Sequence, residues 1–220
     1  MQDIILVGAG GCMRELVWQI QEQNKIKPSW NILGYVDKMP PEKNEYIEVG
    51  KQKISYLGSD KVLLQSEMDI NVAVCVGSSQ LRKKIVMNLI ENKHIKFPNL
   101  ILSETYICED VKLGMGCILC MDTKISTNVK LGDFVFLNTG SMICHDGKVG
   151  DYVTISPDVK IAGAVQIENY TEIGIGAKVI QGIKIGENVV IGAGGIVVRD
   201  ILSDCTAVGV PAKPVKRYIH

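Results

Sequence analysis

Residues 125–173 read ISTNVKLGDFVFLNTGSMICHDGKVGDYVTISPDVKIAGAVQIENYTEI. Every sixth residue, from Ile125 through Leu131, Leu137, Ile143, Val149, Ile155, Ile161 and Ile167 to Ile173, is a branched aliphatic. The same step runs outward to Ile101 on one side and Val197 on the other. It covers seventeen positions without a break, all Ile, Leu or Val. The residue after each is mostly small, as at Gly132, Ser156, Ala162 and Gly174. The fourth residue after each is small or β-branched, as at Thr123, Val129, Ser141 and Val153.

A period of six matches neither the helical 3.6 nor the plain 2 of a strand. It fits a solenoid in which each hexad makes one short strand and a corner, with three faces, and so three hexads, to a coil. The aliphatic is expected to point into the prism, and the small residue beside it lets the chain turn. No insertion breaks the register, so no long loop is expected to leave the array. This is the pattern of an all-β hexapeptide-repeat parallel β-helix, spanning residues 98–220.

Residues 1–97 read differently. Ile4–Gly8 (IILVG) is a continuous apolar run of the buried-strand kind. The turn GAGGCM (8–13) follows, and RELVWQIQEQNK places Leu16, Val17 and Ile20 at helical spacing. ILGYVD (32–37) reads as a second strand ending at an acid, Asp37, and NVAVCVG (71–77) as a third. SSQLRKKIVMNLIENK opens on a Ser suited to an N-cap and continues as an amphipathic helix. The order describes a small α/β Rossmann-like domain. Residues 38–53 are expected to be a polar surface loop, and KFPNL (96–100) the junction between domains.

The chain has 220 residues with 24 basic and 24 acidic side chains. That balance offers no basic face for a phosphate backbone, so nucleic acid is not an expected partner. No apolar run approaches the roughly 18 residues of a membrane span, and the start MQDIILVGAGG lacks the features of a signal peptide. Seven Cys, an odd count, argue against a disulfide framework and for a reducing, cytoplasmic setting. Cys117 and Cys120 form a CxxC, but the repeat assigns both to packing, and no second pair completes a zinc site.

Few residues are left to carry chemistry. Gly8, Gly10 and Gly11 bring backbone N–H groups to a helix N-terminus, a ready anion site, although the third glycine of a dinucleotide fingerprint is replaced by Met13. Asp37 stands where a ribose or sugar hydroxyl would meet a carboxylate, and Gly77 ends a strand on the same edge. Of three His, His94 and His220 read as solvated. His145 lies inside the array, two positions after Ile143, with Thr127 and Gly163 as its neighbours one coil away. Gly163 is expected to leave space there for a ligand, and Asp146 to orient the ring and raise its basicity. A surface His beside a surface Asp is the alternative. One array His excludes the three-His zinc site of β-helix carbonic anhydrases. Ala207–Arg217 (AVGVPAKPVKR) is expected to leave the array carrying Lys213, Lys216 and Arg217, which could meet a phosphate.

The hexad array, GVPAKPVK, the GAGG turn, the YVD strand end, VGSSQLRKKI and LNTGSMICHD (137–146) together resemble the bacterial sugar O/N-acetyltransferase family of the left-handed β-helix class. That family includes UDP-4-amino-sugar N-acetyltransferases, perosamine N-acetyltransferases and sialic-acid O-acetyltransferases. The resemblance covers essentially the whole chain and implies a left-handed winding, an acetyl-CoA co-substrate, no metal and a homotrimer. It implies that His145 is the general base with Asp146 behind it, in place of the more frequent Glu. The acetyl-CoA contacts would fall on Thr154 (where some members have a His), Gly163, Ile175, Ala193 and Lys213. The nucleotide-sugar contacts would fall on Gly10, Gly11, Cys12, Asp37, Gly77 and Gln80. Cys12 and Ser78 depart from the residues usual there. The activity so implied is N-acetylation of a UDP- or GDP-linked amino sugar for glycan synthesis. O-acetylation of sialic acid or a related sugar is the nearer alternative, and a non-catalytic solenoid scaffold or sensor the farther one.

Overall fold

A computed structural model describes residues 1–41 and 45–218. His220 and three residues of the expected 38–53 loop lie outside the described residues. The chain divides into two compact units, Met1–Pro98 and the chain from Asn99 onward.

Among the described residues of the first unit, six strands form one sheet in the order β3-β4-β2-β1-β5-β6. They are β1 (Gln2–Val7), β2 (Trp30–Val36), β3 (Tyr46–Val49), β4 (Gln52–Gly58), β5 (Ile70–Val74) and β6 (Ile95–Lys96). All neighbours are parallel except β3 and β4. The central β1 buries Ile4, Ile5, Leu6 and Val7, as a strand covered on both faces should. Helix α1 (Gly11–Ile26) buries Met13, Leu16, Val17 and Ile20. It starts inside the glycine turn, three residues earlier than its apolar spacing marks. A short α2 (Lys61–Leu64) and α3 (Ser79–Leu89) complete the unit.

Two elements of this unit differ from the sequence expectation. The segment 46–53 is not a loop: β3 and β4 make an antiparallel hairpin through Gly50 (φ +60°) and Lys51. Its residues are polar because β3 is the sheet edge and only Ile54 of the pair is fully buried. The third strand ends at Val74, and Cys75–Ser78 form the turn into α3. Ser78 does take the N-cap position, without a side-chain capping bond.

In the second unit, strands β7 to β23 have two residues each and recur at every hexad from Leu100–Ile101 to Ile196–Val197. Each pairs in parallel with the strand three hexads away, giving three sheets around a prism. The first face carries Phe136–Leu137 and its coil neighbours, the second Met142–Ile143, the third Lys148–Val149. The interior is a column of the step-six aliphatics together with the residues four positions later, such as Val129, Val153, Val165 and Val189. The first coil is the exception: Ile101 is 40 % exposed and Ile107 and Leu113 are partly buried, since no coil precedes them.

The corner geometry explains the period. Three positions after the aliphatic the backbone is left-handed, with φ of 54–61° at Asp122, Asn128, Phe134, Asp146, Tyr152 and Asp158 among others. Asn and Asp tolerate this conformation; bulky aromatics rarely do. Phe134, Tyr152 and Tyr170 offset the strain by stacking along one corner, with centroids 5.3 and 5.7 Å apart. Cys117 and Cys120 are buried, and Cys117 belongs to the interior column.

The C-terminal segment does not leave the array. The last coil is two residues short, pairing Val190 with Thr206 in β24 (Cys205–Val208). The chain then turns through Gly209 and returns as an antiparallel β25 (Lys213–Arg217) at the edge of the first face. Pro214 is tolerated there because an edge strand leaves one side of its backbone unpaired.

Candidate active site

His145 and Asp146 occupy the corner after the second face, where the left-handed turn at Asp146 (φ 61°) folds its carboxylate back toward the preceding ring. His145 Nδ1 lies 2.8 Å from Asp146 Oδ2, and both side chains are about half exposed. The other carboxylate oxygen accepts from Asn128 Nδ2 at 2.7 Å. The bond from His145, and after it the bond from Asn128, hold the Asp146 carboxyl below the usual carboxylate range. With Nδ1 engaged by a carboxylate, Nε2 is the nitrogen left to accept a proton.

Gly163 is beside the ring, but the space its missing side chain leaves is taken by the imidazole itself. A Cβ there would overlap Cε1 and Nε2 of His145. Gly163 therefore seats the imidazole, and the space expected beside it is filled by the ring. Next to this corner, a shallow trough of about 620 Å³ runs over the second face, lined by Tyr106, Cys108, Lys124, Ser126, Met142 and Cys144 among others.

The other residues expected to contact acetyl-CoA stand elsewhere in the coil. Ile175 and Ala193 share the corner between the first and second faces, one coil apart, with the Gly194 N–H donating to the Ile175 carbonyl. Thr154 is buried in a strand of the first face, and Lys213 is exposed in β25. Within one chain Ile175 and Ala193 flank one edge of the second face and His145 the other. Adjacent corners are six residues of chain apart, at most about 20 Å.

In the first unit, the carboxyl ends of β1, β2 and β5 and one side of α3 enclose a cavity of about 410 Å³. Its floor is Val7, Val36, Val76, Leu81 and Ile85; Asp37, Lys38, Asp60, Lys84 and Asn88 supply polar groups. Gly8 (φ +110°) lies at the mouth, where a Cβ would press on the Cys75 carbonyl and Val76 at 3.3 Å. Asp37 joins the cavity, with one carboxylate oxygen accepting from the Met39 N–H. Gly10, Gly11, Cys12, Gly77 and Gln80 are not among its lining residues. Gly10, Gly11 and Cys12 open α1, and Gly77 and Gln80 flank the start of α3. A Cβ on Gly10 or Gly77 would meet open space. Gly10 caps α1 without a side-chain acceptor, which leaves first-turn N–H groups available to an anion. The Cys12 thiol is pushed up to about 12, first by burial and then by Glu15, against a smaller opposing effect of Arg82. It stays neutral and is no nucleophile near neutral pH.

Three features escaped the sequence. Arg82 is buried in α3 and donates to the carbonyls of Val76 at 2.7 Å and Gly77 at 3.1 Å, shaping the turn beside the cavity. An amphipathic reading of the helix places an Arg in solvent. Lys84 and Asn88 share the helical face of Leu81 and Ile85, a spacing visible in the sequence that reads as core. Asn128 lies one coil before Asp146, so the repeat itself carried that signal. His94 is also not merely solvated, since its Nδ1 is 3.0 Å from Asp69.

An α/β domain followed by a parallel β-helix is the architecture of the sugar acetyltransferases of the hexapeptide-repeat class, to which this chain is similar. The profile of the PglD N-terminal domain matches residues 3–89. PerB from Caulobacter crescentus, solved with CoA and GDP-perosamine, superposes with a TM-score of 0.84 at 26 % identity, over 98 % of both chains. The acetyltransferase domain of PglB from Neisseria gonorrhoeae gives 0.83 at 25 %, over 98 % of this chain and 100 % of that one. WeeI from Acinetobacter baumannii gives 0.81 at 25 %, over 98 % and 100 %. No curated protein sequence matches the chain. Among the described residues, no helix is long and apolar enough to cross a membrane.

Proposed function

We propose that this protein transfers the acetyl group of acetyl-CoA to the amine of a UDP- or GDP-linked amino sugar. The observation that carries the reading is the His145–Asp146 pair fixed on the helix corner, in a chain similar over its whole length to PerB holding CoA and GDP-perosamine. The α/β cavity suits the nucleotide: an apolar floor for the base, Asp37 and Lys84 for its polar edge or ribose, and the open N-terminus of α1 for phosphate.

The sugar amine attacks the thioester carbonyl directly. The new C–N bond forms first, giving a tetrahedral adduct, and its collapse breaks the C–S bond. His145 Nε2 takes the amine proton, and the leaving CoA thiolate is protonated in turn. Asp146 stabilises the imidazolium formed on the way, and a backbone N–H at the thioester oxygen supports the tetrahedral oxyanion. No covalent enzyme intermediate is required. Three copies of the chain meeting side by side would bring the Ile175 and Ala193 edge of one protomer to the His145 edge of the next. A closed three-fold arrangement of three-sided prisms does this naturally.

The test is thiol release from acetyl-CoA with UDP- and GDP-linked 4-amino-4,6-dideoxy sugars, beside His145→Ala. Turnover with one of these donors that falls about 10²–10⁴-fold in the variant supports the reading. No turnover with any amine, with acetyl-CoA binding intact, overturns it and directs the search to hydroxyl acceptors.

A further inference from the structure

Asp110, Asn128 and Asp146 stand in one column on the helix corner, each one coil from the next. The middle member bridges two carboxylates. Its backbone N–H donates to Asp110 Oδ2 at 3.0 Å, and its side-chain amide donates to Asp146 Oδ1 at 2.7 Å. Thr127 Oγ1 donates to the same Asp110 oxygen at 2.6 Å, which fixes the turn from below. Above, the column ends at Ala164, which brings no polar side chain. The groups facing the Asp146 carboxylate are therefore His145 from its own turn, with Asn128 and Asp110 from the coils before it.

The geometry points to Asn128 as a positioning residue for the acetyl transfer. Its amide holds the Asp146 carboxylate in the orientation that receives the proton on His145 Nδ1, which leaves Nε2 unprotonated as the base. This inference rests on the proposed role of His145. An exposed carboxylate with one partner rotates freely; one anchored at both oxygens does not. The requirement is for a donor. An Asp at 128 would set three carboxylates in a row and supply none, while Asn provides two N–H groups and tolerates the left-handed backbone (φ 55°).

The test uses the full chain and two variants that suit this backbone, Asn128→Gly and Asn128→Asp, with Asp146→Gly and His145→Ala as references. Protein labelled with ¹⁵N-histidine reports the imidazole tautomer without reference to turnover. Only three His are present, and His145→Ala identifies the signal. The wild type is expected to hold the Nδ1–H form, and both Asn128 variants to populate Nε2–H as well. In the same variants kcat falls about three- to tenfold with an unchanged KM for acetyl-CoA, the scale of one coupled contact. In an Asp146→Gly background, Asn128→Gly has no further effect. A wild-type tautomer and kcat in both Asn128 variants, with His145→Ala inactive, overturns this inference and leaves the proposed function standing. So does an equal loss in the Asp146→Gly background, which would mean that Asn128 acts by another route. Full turnover in His145→Ala removes both.

Discussion

The imidazole of His145 rests against the α-carbon of Gly163, the residue one coil above it, so closely that a methyl group at 163 would occupy the place of the ring. The two positions are tied by the same ladder, in which the Ala164 N–H donates to the His145 carbonyl at 2.8 Å. Gly163 is outside the left-handed region, so alanine fits its backbone. Gly163→Ala should therefore fold as the wild type does and still bind acetyl-CoA, but with the His145 ring, the proposed base, displaced. A shift of about 1 Å in a catalytic group costs on the order of 10²-fold in rate. Steady-state turnover beside a thermal melt checks this: kcat should collapse while Tm holds.

Ile161 lies in the interior column and is 1 % exposed. Ile161→Asp puts a carboxylate where only aliphatic groups surround it, at a cost of several kcal/mol, about 3 or more. Urea unfolding should move to a much lower midpoint, or the protein should fail to accumulate in soluble form. Ile161→Val, one methylene smaller, should cost only about 1 kcal/mol.

Cys12 gives the α/β unit a dependence on alkaline pH. Its thiol is pushed up to about 12 in the fold, against about 8.5 in an unfolded chain. The unfolded chain loses its proton first, so the contribution of a neutral Cys12 to stability is intact below about pH 8.5 and declines from there toward pH 12. Between pH 8 and pH 10, Tm should fall further in the wild type than in Cys12→Ala, by about 2 °C or more. Alkylation by iodoacetamide at pH 8 should reach the exposed Cys108 well before Cys12.

Arg82 holds the Val76–Gly77 turn by two donated bonds. Arg82→Met keeps much of the buried stem but leaves those carbonyls without these donors, at about 1–3 kcal/mol. Because Val76 lines the cavity proposed for the nucleotide, nucleotide affinity should fall about tenfold, while acetyl-CoA affinity stays as it was. Titration calorimetry with UDP, GDP and CoA separates the two.

The sequence made the helix legible because one inward residue in six must be aliphatic in every coil, and seventeen such positions leave no competing period. The His–Asp pair was legible for the same reason: against so regular a background, a single array His is conspicuous. The α/β unit was harder. The hairpin of β3 and β4 hides its pattern, because strands at an edge bury few side chains. Strand β25 has two prolines nearby and a run of cations, which describe a tail equally well; only pairing with β24 distinguishes them. Arg82 was invisible because its partners are backbone carbonyls, which carry no sequence signature. Asn128 needed one further step, applying the coil repeat to Asp146 as well as to His145.

The uniform coil also makes this molecule a ruler. Neighbouring strands are about 4.8 Å apart, so each coil is one graduation. The corner turn of His145 and that of Ala193 are separated by three graduations along the prism, less the third of a coil between their corners. If the pantetheine arm of CoA lies along that length, its fit is set by a count of coils and not by any one side chain. Duplicating a coil, residues 154–171, would extend the array without changing how a strand pairs with its neighbours. Such a protein would keep the His145–Asp146 pair and its stability and still stand Ala193 about 5 Å farther from that pair.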